Sequence, residues 1–124
     1  MNKSPLALII EDDGIIAEIF SFAIKEADFN PIVIRDGIQA MKTLSAEIPA
    51  LVLLDLHLPG ISGINVLREI RKDPRLADTR VLIVSADTTQ SEFLRIQADH
   101  IMIKPVGFNA LREMALKIRA EIGD

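Results

Sequence analysis

The sequence predicts a three-layer, doubly wound α/β domain, in which helices cover both faces of five parallel strands. Five short runs of mainly branched apolar residues recur along the chain, most without polar alternation, as in strands buried on both faces. Segments with helical periodicity separate these runs. The length of 124 residues is typical of one domain. We therefore expect a single domain over residues 1–124.

The strands are predicted at the apolar runs. Each run is far shorter than the roughly 20 residues that a membrane-spanning helix needs. Right-handed crossovers between parallel strands place a helix between consecutive runs. The runs are Leu6 to Ile10, Pro31 to Ile34, Leu51 to Leu54, Val81 to Val84 and Ile101 to Ile103.

Helices are predicted in the spacers and after the last strand. Three segments carry an apolar stripe at helical spacing. Gly37 to Glu47 and Thr88 to Gln97 are less cleanly striped, so their prediction depends partly on the alternation with strands. The three stripes are Ile16, Phe20, Ala23 and Ala27; Ile64, Leu67 and Ile70; and Phe108, Leu111, Ala115, Ile118 and Ile122.

The composition narrows the functional classes. Hydrophobic residues make up 49% and charged residues 26%, which is typical of a globular protein. The absence of cysteine excludes a disulfide framework, and the start of the sequence lacks the pattern of a secretory signal, so we expect a cytoplasmic protein. A net charge of −4, without a basic cluster interleaved with aromatics, argues against direct nucleic-acid binding.

Candidate site residues with charged or hydroxyl side chains are identified after four of the five predicted strands. In doubly wound sheets the ligand site lies at the carboxyl ends of the strands, which brings such residues together. They are Glu11, Asp12 and Asp13 after the first strand, Asp55 after the third, Ser85 after the fourth and Lys104-Pro105 after the fifth.

Each of these residues also has an ordinary structural explanation. Acids before a helix cap it, and Asp55 suits a turn. Ser85 suits a strand-end hydroxyl or a cap for the next helix, and Lys104 suits a solvated surface. However, three consecutive acids exceed what one cap requires, and they repel one another unless a cation offsets them. Mg²⁺ prefers a few carboxylates together with water and phosphate oxygens. A cation site, one further carboxylate, a lysine and a hydroxyl together indicate phosphoryl transfer to an aspartate.

The motifs at these positions resemble those of bacterial response-regulator receiver domains, including single-domain, chemotaxis-regulator-like proteins. The resemblance covers essentially the whole chain and implies the flavodoxin-like strand order 2-1-3-4-5 with five helices. The matching segments are Leu8 to Asp13, Asp55 to Gly63, Val84 to Ala86 and Lys104-Pro105.

The resemblance implies a magnesium site. Asp12 would be a direct ligand, and Glu11 would act mainly through water. Asp55 and the backbone carbonyl of His57 would be the remaining protein ligands. Asp13 falls one place beyond the acidic pair.

The resemblance also implies that Asp55 is the phosphoacceptor and that Lys104 and Ser85 hold the attached phosphoryl group. It suggests a cis peptide between Lys104 and Pro105, although most X-Pro bonds are trans and the sequence alone leaves both isomers open. Such a protein is a switch that takes part in its own phosphorylation and dephosphorylation rather than an enzyme.

The implied partners are proteins. A sensor histidine kinase or a histidine phosphotransfer protein would supply the phosphoryl group. A downstream target or output domain would read the face formed by the fourth helix, fifth strand and fifth helix. If the chain is the full protein, we expect a stand-alone regulator or phosphorelay shuttle, without membrane or nucleic-acid contact.

Four positions need separate interpretation. The family often carries Tyr or Phe where this chain has Ile101, so the aromatic form of the switch cannot operate. His100 cannot replace it, because neighbouring side chains of a strand point to opposite faces. The side chain of His57 is expected to be a partly solvated loop histidine, with an effect on acyl-phosphate hydrolysis as the alternative. Ser62 is expected to cap the helix that begins near Gly63.

Two further functional classes remain open. Ile101 leaves room for a pseudo-receiver that binds proteins without being phosphorylated, against which the retained acids, Ser85 and Lys104 argue. A flavin or phosphatase domain on the same architecture is disfavoured. The acidic first loop does not suit a phosphate-bearing cofactor, and His57 stands where a haloacid-dehalogenase-type phosphatase has its second Asp.

Overall fold

The protein is described by a computed structural model that covers residues 3–86 and 97–123. Five parallel strands form one sheet in the order β2-β1-β3-β4-β5, which confirms the predicted fold class and strand order. Each strand includes its predicted apolar run and extends it by at most one residue at either end. The strands are β1 Leu6–Ile10, β2 Asn30–Ile34, β3 Leu51–Asp55, β4 Arg80–Ser85 and β5 His100–Ile103.

Helices connect the first four strands along the chain, and a further helix follows β5. The helix predicted over Thr88 to Gln97 lies outside the described residues except for Gln97 itself. No helix in the described parts of the chain combines the length and apolarity that crossing a bilayer requires. The helices are α1 Gly14–Glu26, α2 Gly37–Ala46, α3 Gly63–Lys72 and the C-terminal helix Phe108–Ile122, with a 3₁₀ turn at Pro74–Leu76.

Alternation along the central strands builds two apolar cores, one on each face of the sheet. Leu8 and Ile10 of β1 pack with α2 and α3, whereas Ala7 and Ile9 pack with α1 and the C-terminal helix. All four side chains are buried. This arrangement follows from the two-residue period of a strand, which sends successive side chains to opposite faces.

The prediction that the apolar strands are buried on both faces holds for the centre of the sheet and is wrong at its edges. Ile32 and Val33 of β2 are 43% and 38% exposed, and Ile103 of β5 is 44% exposed. The reason is position, because β2 and β5 each have a neighbouring strand on one side only.

Within β5 the predicted opposition of neighbouring side chains is confirmed. Ile101 packs against the core formed with α2 and α3. The His100 side chain lies on the other face, where its Nε2 is 3.4 Å from Oε1 of Glu121 in the C-terminal helix. His100 therefore cannot occupy the space of the missing aromatic residue.

Arg71, near the end of α3, joins three segments at the amino end of the sheet. Its Nε donates to the carbonyl of Gln97 at 2.6 Å, and its Nη1 donates to the carbonyl of Thr79 at 3.1 Å. Its Nη2 pairs with Oδ2 of Asp99 at 2.8 Å, and the same oxygen accepts from the Val81 amide at 2.7 Å. This Arg71 network fixes α3 to the beginnings of β4 and β5.

A second polar contact at this end involves both terminal segments. Ser4 Oγ donates to Asp28 at 2.6 Å, and Arg119 pairs with Oδ2 of Asp28 at 3.1 Å. Arg119 also donates to the carbonyl of Gly123. The Ser4 hydrogen bond, assisted by the charge of Arg119, holds the pKa of Asp28 below its ordinary value.

Candidate functional site

The strand register brings the predicted site residues to one edge of the sheet. Ile10 is paired with Leu54, so Glu11 follows β1 level with Asp55, the last residue of β3. Ser85 is the last residue of β4, and Lys104 directly follows β5. Parallel strands end at the same edge, which explains why residues far apart in sequence meet here.

Three carboxylates meet at this edge and define the acidic cluster, Glu11, Asp12 and Asp55. One oxygen from each lies within 4.8 Å of the others. Glu11 and Asp55 are 1% and 3% exposed, whereas Asp12 is exposed. Like charges this close repel one another, and the repulsion is strongest where water is excluded. The donor set consists of oxygens, which hard divalent cations prefer, so the cluster could hold such an ion.

Lys104 places a positive charge within the acidic cluster. Its Nζ lies 2.9 Å from Oε1 of Glu11 and 3.3 Å from Oδ2 of Asp55. Because β4 lies between β5 and β3, the lysine side chain must pass over the end of β4 to reach them. Burial lowers the pKa of Lys104, but the Glu11 hydrogen bond and the Asp55 charge outweigh it and leave the pKa raised. Lys104 is therefore an ammonium group at neutral pH.

Ser85 ends β4 at the same edge of the sheet and is 1% exposed. Its carbonyl accepts from the Lys104 amide at 2.9 Å, which aligns the chain directly after β5. The peptide bond between Lys104 and Pro105 is cis, as the resemblance suggested.

The acidic run after β1 divides between two tasks. Oδ1 of Asp13 accepts hydrogen bonds from the amides of Ile15 and Ile16, both at 3.0 Å, and so caps α1. Glu11 and Asp12 belong to the acidic cluster instead. The capping explanation therefore applies to Asp13, one place beyond the pair.

The loop after β3 is held close to Asp55. The His57 amide donates to Oδ1 of Asp55 at 3.1 Å, and the His57 residue is exposed, as expected of a loop histidine. A Cβ at Gly63 would lie 2.5 Å from the Asp55 carbonyl oxygen, so glycine allows α3 to begin against the end of β3. Ser62 caps α3 as predicted, accepting from the Asn65 amide at 3.4 Å.

Arg35 also reaches this edge and is not among the site residues predicted from the sequence. It directly follows β2, and its guanidinium donates twice to the carbonyl of Asp12. The strand-end rule applied to β2 would have found it. The next residue, Asp36, caps α2 through the amide of Gln39.

Comparisons with known proteins agree with this geometry. Residues 7–116 match the family of the response regulator receiver domain. The DNA-binding response regulator MtrA of Mycolicibacterium paratuberculosis is 32% identical over 118 residues, covering 93% of this chain and 50% of that protein. The chain thus spans about half the length of this curated relative.

Solved structures show the same fold. The chemotaxis response regulator CheY4 of Vibrio cholerae superimposes with a TM-score of 0.84 at 16% identity, covering 94% of this chain and 100% of that one. The Mn²⁺-bound form of response regulator Rcp1 gives 0.75 at 25% identity, covering 92% and 91%. The family match over most of the sequence, with the topology and strand-end groups described above, shows that the chain belongs to the response regulator receiver domain family of two-component signalling.

Proposed function

We propose that this domain is the phosphoacceptor of a two-component or phosphorelay pathway, that Asp55 is the residue phosphorylated, and that the reaction depends on Mg²⁺. The observation that carries the proposal is the position of Asp55. Its buried carboxylate lies 3.3 Å from the Lys104 ammonium and belongs to a cluster of three carboxylates. A nucleophile, a counter-charge and a candidate cation site therefore meet at one edge of the sheet.

Glu11, Asp12 and Asp55, with the backbone carbonyl of His57, would hold the metal. The oxygen donors and their excess negative charge fit Mg²⁺, which binds through few protein groups and retains water and phosphate ligands. When bound, Mg²⁺ supplies positive charge to the oxygens of the transferring phosphoryl group. The Mn²⁺-bound state of the similar regulator Rcp1 supports a divalent cation here.

The chemistry uses groups already in place. A carboxylate oxygen of Asp55 attacks the phosphorus of a phosphohistidine in line, the P–N bond breaks, and the imidazole leaves with the electron pair. Lys104 is hydrogen-bonded to Glu11 and Asp55, and this position allows it to donate to the oxygens of the transferred phosphoryl group. The buried surroundings strengthen this attraction.

The phosphodonor, a sensor histidine kinase or histidine phosphotransfer protein, would dock on α1. Ile15, Ile19 and Phe22 lie on this helix and are 75%, 44% and 62% exposed. A cavity of about 150 Å³ lies between α1 and the chain after β5, lined by Ile16 and Lys104 among others. An apolar surface beside the nucleophile suits a partner that must exclude water during transfer.

Phosphorylation would then change partner binding. The new group adds a charge of about −1.5 to −2 and three acceptor oxygens, to which the Ser85 hydroxyl can donate. Movement at Ser85 would reach the face of β5 and the C-terminal helix, together with the helix predicted over Thr88 to Gln97. Ile101 implies that this change proceeds without an aromatic rotation.

The test is the intact mass after incubation with Mg²⁺ and acetyl phosphate. We expect a gain of one phosphoryl group in the wild type and none in Asp55→Asn or in the presence of a chelator. Asp36→Asn is the matched control, since asparagine also caps a helix and Asp36 lies outside the acidic cluster. If the wild type gains no mass from acetyl phosphate or from a phosphohistidine protein, the proposal is wrong and the pseudo-receiver alternative replaces it.

A further inference from the structure

We propose that Arg35 is a positioning residue for the cation site, holding Asp12 in place through its backbone carbonyl. The proposal rests on the proposed function, because it assumes that the acidic cluster binds Mg²⁺. Arg35 Nε and Nη2 lie 2.9 and 2.6 Å from the Asp12 carbonyl oxygen, so both arms of the fork converge on one acceptor. A fork of this kind fixes direction as well as distance.

Gly14 leaves space for the Arg35 guanidinium. A Cβ built at Gly14 would lie 3.2 Å from Nη1 and 3.4 Å from Nη2 of Arg35. The distance to Nη1 is tighter than ordinary van der Waals contact, so the guanidinium would have to shift by a few tenths of an ångström. The absence of a side chain at the first residue of α1 therefore leaves room for the Arg35 guanidinium in its present position.

The residues on either side of Asp12 are fixed by other contacts. The Glu11 amide donates to the Ile34 carbonyl at 3.0 Å, and the Glu11 carboxylate accepts from Lys104. Asp13 caps α1. Asp12 lies between them, exposed, and Arg35 holds its carbonyl. Partners that orient a metal ligand from behind commonly change metal affinity by about 10–100-fold, so the loss of this contact should weaken the site.

The positive charge of Arg35 predicts the opposite effect on Mg²⁺ affinity. A guanidinium near a cation site repels the cation, so its removal would tighten binding if repulsion dominated. Arg35→Lys separates the two effects, because it retains the positive charge and loses the planar fork. Positioning predicts weaker Mg²⁺ binding in both Arg35→Lys and Arg35→Met. Repulsion predicts tighter binding in Arg35→Met and little change in Arg35→Lys.

The experiment is a calorimetric titration of the purified chain with MgCl₂, comparing wild type, Arg35→Lys, Arg35→Met and Gly14→Ala. We expect the Kd for Mg²⁺ to rise about tenfold in both Arg35 variants and by a smaller factor in Gly14→Ala. Gly14→Ala is informative because alanine favours helix, so weaker binding cannot be attributed to loss of α1. Lys42→Met, an exposed substitution on α2, controls for the loss of one positive charge.

Each outcome has a distinct meaning. If the wild type does not bind Mg²⁺, the proposed cation site is wrong and the role of Arg35 fails with it. If the wild type binds and both Arg35 variants bind as well or better, the positioning role alone is wrong. Raised Kd values that persist at high ionic strength, where repulsion between exposed charges is screened, would support positioning.

Discussion

The two ends of the sheet carry opposite kinds of charged network. At the carboxyl end, three carboxylates form a cluster, and the two that are almost fully buried, Glu11 and Asp55, pair with the Lys104 ammonium. At the amino end, Arg71 pairs with Asp99 and satisfies two backbone carbonyls. The first network has excess charge of one sign, whereas the second is balanced. The same strands thus support one end suited to binding a cation and another suited to holding the fold.

The strongest test of this comparison is Lys104→Met at the carboxyl end. We expect a loss of about 3 kcal/mol in the free energy of unfolding, at the low end for a broken buried ion pair because Lys104 reaches solvent. Glu11 and Asp55 would remain buried without their counter-charge. The measurement is urea unfolding with and without Mg²⁺, and Mg²⁺ should recover part of the loss. A loss that Mg²⁺ leaves unchanged would contradict the assignment of excess charge to this end.

The ion pairs of Lys104 with Glu11 and Asp55 can also be tested by varying the pH. The pKa of Lys104 is raised in the folded protein, so its contribution to stability is fully present below the unfolded value of about 10.4. That contribution is lost as the pH rises through the folded pKa. Urea midpoints measured from pH 9 to 11.5 should therefore fall more steeply in the wild type than in Lys104→Met. Parallel curves would show that Lys104 is not coupled to the acidic cluster.

The Arg71→Met substitution tests the charge-balanced network at the amino end of the sheet. This change leaves the carbonyls of Thr79 and Gln97 without their Arg71 donor, and Asp99 without its cation. We expect a loss of about 2 kcal/mol, within the range for partly buried groups left unsatisfied. Mg²⁺ should not recover it, and labelling by acetyl phosphate should continue. Recovery by Mg²⁺ would mean that the two ends are not independent.

The smallest expected effect on stability distinguishes the roles of the adjacent residues Asp12 and Asp13. Asp13→Ala removes the cap of α1 and should cost about 1 kcal/mol, with little change in Mg²⁺ affinity. Asp12→Ala should do the reverse, weakening Mg²⁺ binding without lowering stability, because it removes one of three carboxylates that repel one another. Thermal unfolding measures the stability of each variant, and a MgCl₂ titration measures its Mg²⁺ affinity. Equal effects on Mg²⁺ affinity would remove the distinction between cap and cluster.

The central features of the site could be predicted from the sequence. The apolar runs locate the strand ends, and parallel strands bring their carboxyl ends to one edge, so the meeting of Glu11, Asp55 and Lys104 follows from topology. The division between Asp12 and Asp13 does not follow from residue type, because the two side chains are identical, and only the resemblance to receiver domains implied it. It depends on the residue at which α1 begins.

Other features depend on position within the sheet. Ile32 and Val33 belong to an apolar run like those of the buried strands, and their exposure reflects the place of β2 at the edge. The same edge position allows the long side chain of Arg35 to reach back to Asp12. A linear pattern gives the strand but not the direction in which such a side chain turns.

The contact among Ser4, Asp28, Arg119 and Gly123 has a practical consequence for engineering. Residues 4 and 123 are tied to the same arginine–aspartate pair, at the end of the sheet opposite the acidic cluster. A short flexible linker between them would close the backbone into a ring that does not cross the cluster. New chain ends could then be opened in an exposed loop, which makes this domain a suitable candidate for circular permutation into a reporter.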